Sequence, residues 1–271
     1  MRALRQIDGW PARNAAAGVA ARGAVLGVRG PAERIFRWAS VTKLLTATAV
    51  LIARDEGIVG LDEGAGPPGA TVRHLLAHAA GLPLDGDAPV AQPGARRIYS
   101  NTGFEILADL VAARAEMPFA AYLHAAVVEP LALARTRLDG SAAWAARGPL
   151  EDLLAFGREL LAPTVIAEET LADATTVAFP GLVGVLPGFG RQEPNDWGLG
   201  FELRNDKSPH WTGRRNSPRT FGHFGRSGSF LWIDPDAGIA CACLGDREFG
   251  GWAADAWPAL SDAVLAEVSA R

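Results

Sequence analysis

Lysine is almost missing from this chain. Of 26 basic residues only Lys43 and Lys207 are lysines, the rest being arginine, so each lysine needs its own explanation. Cysteine, methionine and tyrosine are as scarce, at two each. Two cysteines make no disulfide framework. Cys241 and Cys243 moreover stand one residue apart in an alternating, strand-like segment, where a bridge would be badly strained. They read as small buried hydrophobes in a reducing cytosol, and no further ligands are in view for a metal site. Long runs of one charge are also lacking, and 26 basic against 30 acidic residues leave a net charge of −4. That balance argues against a nucleic-acid or membrane partner, either of which calls for a basic stripe. The longest apolar stretches, such as Leu44–Ala53, fall far short of a membrane span. Arg2, Arg5, Asp8 and Arg13 interrupt the opening segment, so no secretory signal is read there and a cytoplasmic location is expected.

What the chain has is core material. Over 271 residues, 49% are hydrophobic and 21% charged, which excludes a disordered chain and fits one large domain or two interleaved small ones. Strand-like pieces at Ala15–Ala20 and Ala24–Arg29 flank an Arg22-Gly23 turn. A helix is predicted from Ser40 to Glu56, closed by Gly57 and apolar on every side, hence buried. The middle reads as helices at Thr71–His78, Gly103–Arg114, Phe119–Val127 and Leu150–Leu161, joined by Gly/Pro-rich connections such as Pro180–Gly190. Strand character returns at Leu199–Leu203, Gly228–Ile233 and Ile239–Leu244, and a last helix covers Ala253–Ala270. Strands at both ends around a helical middle predict an α/β chain of the α+β type. Its antiparallel sheet would be built from residues 1–62 with 190–271, beside an inserted helical region, 63–189, with a site in the cleft between them.

Three short patterns carry chemistry. Lys43 follows Ser40 by three residues, so the two side chains share a helix face. A lysine among apolar neighbours loses hydration, which favours the neutral amine and makes it a plausible base. Ser40 at the first turn has free backbone N–H groups beside it that favour developing negative charge. With nine serines and two lysines, S-x-x-K is expected only about 0.07 times by chance. The alternative, an N-cap serine and a snorkelling lysine, fits an apolar helix poorly. The second pattern is Tyr99-Ser100-Asn101, just ahead of a helix. Asn101 or Thr102 suits an ordinary N-cap, while a phenol near a lysine can relay a proton and an amide can bind a carbonyl or hold the lysine. The third is His223-Phe224-Gly225 followed by Arg226, whose glycines permit close backbone approach to a ligand. His74 and His78, four residues apart, lack the glutamate and third ligand of a zinc site.

In this order, S-x-x-K, Y-x-N and H-x-G resemble the penicillin-recognising serine hydrolases, in particular their class C β-lactamase-like branch. The resemblance extends to Trp38 through Lys43, to Thr71 through Pro83, to Tyr99 through Leu110, to Glu129-Pro130-Leu131 and to Trp197 through Gly200. It includes Leu231-Trp232-Ile233-Asp234-Pro235 and, running from about Gly18 to Leu244, covers most of the chain. It implies a β-lactamase/transpeptidase-like fold and a serine hydrolase working through an acyl-enzyme without a cofactor. Ser40 would be the nucleophile, with Lys43 and Tyr99 handling its proton. Asn101, His223, Gly225 and Arg226 would bind substrate, and the backbone N–H groups of Ser40 and Arg226 would form the oxyanion hole. One departure matters. Where the family often has a hydroxyl that binds a substrate carboxylate, this chain has Phe224, so small esters or amides are expected ahead of lactams. The rival readings are a D,D-peptidase or β-lactamase, and a non-catalytic binding or regulatory protein that keeps the fold.

Overall fold

Arg22-Gly23 reverses the chain between two segments rich in alanine and valine. In the computed structural model, which describes residues 1–270, these form the hairpin of β1 (Ala15–Ala21) and β2 (Ala24–Arg29). Strand β3 (Phe36–Arg37), a 3-10 turn at Ala39–Val41 and helix α1 (Thr42–Asp55) follow. The middle of the chain supplies α2 (Val72–Leu76), α3 (Thr102–Ala115) and α4 (Phe119–Leu123). After the short strands β4 (Arg137–Leu138) and β5 (Ala146–Gly148) come α5 (Leu150–Leu161) and α6 (Glu168–Ala174). A small hairpin, β6 (Gly184–Leu186) with β7 (Gly190–Gln192), leads to β8 (Glu202–Leu203), β9 (Phe221–Gly225), β10 (Ser229–Asp234) and β11 (Ile239–Gly245). Helix α7 (Gly251–Ser269) completes the order.

The main sheet runs β2-β1-β11-β10-β9-β8, antiparallel throughout, so strands from the two ends of the chain meet at β1 and β11. Side chains alternate across it with period two. Ala16, Ala20, Leu231, Ile233, Ala242 and Leu244 face a core shared with α1 and α5. Ala17, Val19, Phe230, Trp232, Cys241 and Cys243 face α7 through Trp257, Leu260 and Val264. Both cysteines are free and buried. Burial pushes their thiols up, which keeps them unreactive. Helix α5 comes from the middle of the chain yet lies against β1, β10 and β11. No helix among the described residues is long and apolar enough to cross a membrane.

Helix α1 is buried from Thr42 to Ala53, as its all-round apolar character requires. The segment 141–146 is tied along it. Thr46 donates to Ala142 O at 2.6 Å, and Thr42 Oγ1 accepts from Ala146 N at 3.0 Å. Just upstream, Trp38 is fully buried and its indole donates to Gly148 O at 3.2 Å. These contacts fix the start of α1 against β5 and the segment before it.

Candidate active site

The chain enters α1 through a strained residue. Ala39 has φ +46°, a left-handed conformation that costs an alanine about 1–2 kcal/mol. Packing on both sides holds it there, and the turn presents Ser40 half-buried at the helix entrance. The end of β9 closes on this turn. A Cβ added to Gly225 would stand 2.5 Å from Trp38 O and 3.0 Å from Ala39 Cβ, so only glycine lets the strand lie this near. The 225–226 backbone thereby runs beside the Ser40 turn.

Lys43 is fully buried, and both of its acceptors are neutral. Its Nζ donates to Asn101 Oδ1 at 2.7 Å and to Ala143 O at 3.0 Å. It lies 4.6 Å from the centroid of the Tyr99 ring and 5.5 Å from that of Phe104. Desolvation brings its pKa down to about 7, against weak opposing pulls from Glu105 and Asp85. Asn101 precedes α3 at the N-cap position, yet its side chain makes no cap bond. It reaches Lys43 instead, and its Nδ2 donates to Asp85 Oδ1 at 3.0 Å.

Tyr99 has its hydroxyl buried without a full hydrogen bond among the described residues. Burial pushes the phenol's pKa up, while the neighbouring Ser40 hydroxyl pulls it back. Around the ring stand His78, Trp197 and His223, with centroids 4.5, 5.9 and 5.5 Å away. His223 Nδ1 donates to Phe224 O at 2.6 Å, so its Nε2 carries the lone pair. Burial and the nearby Lys43 bring its pKa down to about 3, and it is neutral at pH 7. The wall behind Tyr99 is fastened by Arg97, a buried guanidinium bonded to the carbonyls of Ala77, Ala178, Phe179 and Asn195.

Ser40, Lys43, Tyr99, Asn101, His223 and Gly225 are thus brought together. Two residues of the third pattern point elsewhere. Phe224 faces the α7 side of the sheet, where its ring lies 4.9 Å from Phe249 and 5.7 Å from Trp211. The Arg226 guanidinium is 82% exposed and pairs with Glu248 at 3.3 Å, leaving only its backbone beside Ser40. The hydroxyls that follow are engaged as well, Ser227 with Arg37 O at 2.8 Å and Ser229 with Trp38 O at 2.7 Å. Sequence reasoning missed Asp85 and the Ala143 carbonyl. Neither carries a motif, since one acts from a loop and the other through its backbone.

The profile of the Beta-lactamase family matches residues 6–265. The chain belongs to that family. A β-lactamase (Mb2281c) from Mycobacterium bovis is 55% identical, with a TM-score of 0.97 over 98% of this chain and 99% of that one. EstCE1, a hydrolase with promiscuous acyltransferase activity, shares the fold at 18% identity, with a TM-score of 0.80 over 97% of each chain. Penicillin-binding protein 4* of Bacillus subtilis is 25% identical over 137 residues. That match covers 38% of this chain and spans only 30% of the longer protein. The α/β class and the resemblance read from the three motifs therefore agree with fold and family.

Proposed function

We propose that this member of the family is a serine hydrolase that cleaves small esters or amides through an acyl-enzyme on Ser40. The observation that carries the reading is Lys43, buried beside the Ser40 turn with neutral acceptors alone and a pKa near 7. At neutral pH a large share of it is the free amine, whereas burial keeps the Tyr99 phenol protonated. Lys43 takes the Ser40 proton as Oγ attacks the scissile carbonyl carbon. The carbon–oxygen bond to the alcohol then breaks, and the departing alkoxide receives a proton relayed through Tyr99. Water repeats the sequence on the acyl-enzyme and returns Ser40. Asn101 holds Lys43 in place, and the N–H groups of Ser40 and Arg226 face the developing oxyanion.

The third motif favours neutral substrates. A carboxylate beside the scissile carbonyl needs a hydroxyl and a cation, but Phe224 is turned away, His223 is neutral, and Arg226 pairs with Glu248 at the surface. A lost charge-assisted bond costs on the order of 1.5–3 kcal/mol, so p-nitrophenyl acetate or butyrate should exceed nitrocefin and D-Ala-D-Ala peptides in kcat/KM by about 10- to 100-fold. A second reading, as a β-lactamase, is favoured by the name of the Mycobacterium bovis relative. A clear preference for nitrocefin would establish it instead. Intact-mass measurement after a fluorophosphonate probe tests the nucleophile. One adduct is expected on the wild type and none on Ser40→Ala, and equal labelling of both would remove Ser40 from the mechanism.

A further inference from the structure

The β6–β7 hairpin builds a second feature at Tyr99. Arg97 N donates to Val183 O at 2.9 Å, docking the hairpin on the 96–98 segment. A cavity of about 550 Å³ opens between them, with Tyr99 in its lining, a volume within the range of small-molecule sites. Leu84, Ile98 and Val185 give it an apolar wall, and Leu84 and Val185 are left 51% and 63% exposed. Three arginines also line it, of which Arg97 is committed to backbone carbonyls. Arg191 is the cross-strand partner of Val185, and Arg96 lies two residues before Ile98. Arg96 is exposed and makes no side-chain hydrogen bond or ion pair with any described residue. The acidic residues next to this lining in sequence are engaged, Asp85 with Asn101 and Glu193 with Arg191 at 3.0 Å. Arg96 and Tyr99 are three residues apart, so their Cα atoms are separated by at most about 10 Å.

From this juxtaposition we infer that the substrate carries an apolar arm ending in an anion. The arm lies along Leu84, Ile98 and Val185, and the anion meets Arg96. The inference rests on the hydrolase reading but adds a charge remote from the scissile carbonyl, where the third motif offers none.

Two matched pairs of esters test it. Mono-p-nitrophenyl adipate against p-nitrophenyl hexanoate places a carboxylate at the end of the acyl arm. The acetate ester of 6-hydroxyhexanoic acid against hexyl acetate places it on the alcohol arm. In one pair the anionic member should have the higher kcat/KM, by about threefold or more at low salt. Exposed ion pairs are of this size, and the preference should shrink in about 0.5 M salt. Arg96→Gln should reduce that preference while leaving p-nitrophenyl acetate turnover unchanged, and Arg96→Lys should keep most of it. Equal rates within both pairs, with hexanoate hydrolysis abolished in Ser40→Ala, would overturn the anion site and leave the hydrolase reading standing. Calorimetry of Ser40→Ala with monomethyl adipate reads the same site without turnover. Binding that Arg96→Gln weakens supports the inference even if hydrolysis is absent, and no binding contradicts it.

Discussion

The two lysines are both buried, and they differ in what they touch. Lys207 meets the carboxylate of Glu202 and donates to Asp196 O at 2.7 Å. Glu202 is in turn bonded by His210 and by the Trp211 indole at 2.9 and 2.8 Å. Burial alone would raise the Glu202 pKa, but His210 and Lys207 hold it down at about 2. Burial also pulls the Lys207 ammonium down, and Glu202 opposes that pull. The result is a closed, saturated ion pair. Lys43 has an amide oxygen and a carbonyl in place of a carboxylate, and around it Tyr99 Oη, His78 Nε2 and His223 Nε2 are left without partners among the described residues. Desolvation is common to both sites. Only at Lys43 does it act against neutral acceptors, and there it brings the amine's pKa down to about 7.

The largest test of this contrast is Lys43→Arg. Guanidinium does not deprotonate in a protein, so kcat for p-nitrophenyl acetate should fall by about 10²- to 10⁴-fold while the circular dichroism spectrum is retained. Wild-type turnover in this variant would show that the lysine is not the base. Next comes Glu202→Gln, which strands Lys207 inside the protein. Breaking a buried pair in this way typically costs about 3–5 kcal/mol, to be read from the urea midpoint, with kcat of the folded enzyme little changed. The sign with pH is fixed by the depressed Glu202 pKa. Its contribution is present above the ordinary 4.5 and is lost as pH falls toward about 2, so the variant should approach the wild type in acid. The smallest change tests the comparison most directly. Asn101→Asp gives Lys43 the kind of partner Lys207 has. Only the neutral amine accepts a proton, so wild-type kcat/KM should rise with pH through about 7. The variant's rise should move upward by about 1–3 pH units. An unmoved profile would mean that the ionisation belongs to another group.

Much of this was legible from residue order. The helix Leu150–Leu161 is found as read, because its apolar period and bounding proline agree. The buried start of α1 is legible too, but the strained turn at Ala39 is not. Alanine carries no signal for positive φ, and the helix begins at Thr42 instead of Ser40. The strand read at Leu199–Leu203 shrinks to Glu202–Leu203, since Gly200 is used in a turn packed on α1. A Cβ there would lie 2.1 Å from Ala47 Cβ. Pro180–Gly190 reads as a plain connection because glycine and proline dominate it. Its hairpin exists through a long-range contact, Arg97 with Val183 and Gly184, which no local pattern encodes. The same holds for the network around Glu202, whose charges are adjacent in space through a turn.

Strand β1 pairs with β11, Ala15 opposite Gly245, and this long closure bears on how the chain is made. A ribosome adds about 5–20 residues per second, so the apolar edge of the β1–β2 hairpin waits roughly ten to fifty seconds for its partner strand. An unpaired edge of that kind is a template for wrong pairings. Through that interval the nascent chain depends on α1 and α5 covering one face of β1, or on a chaperone covering its edge, before β11 leaves the exit tunnel and completes the sheet.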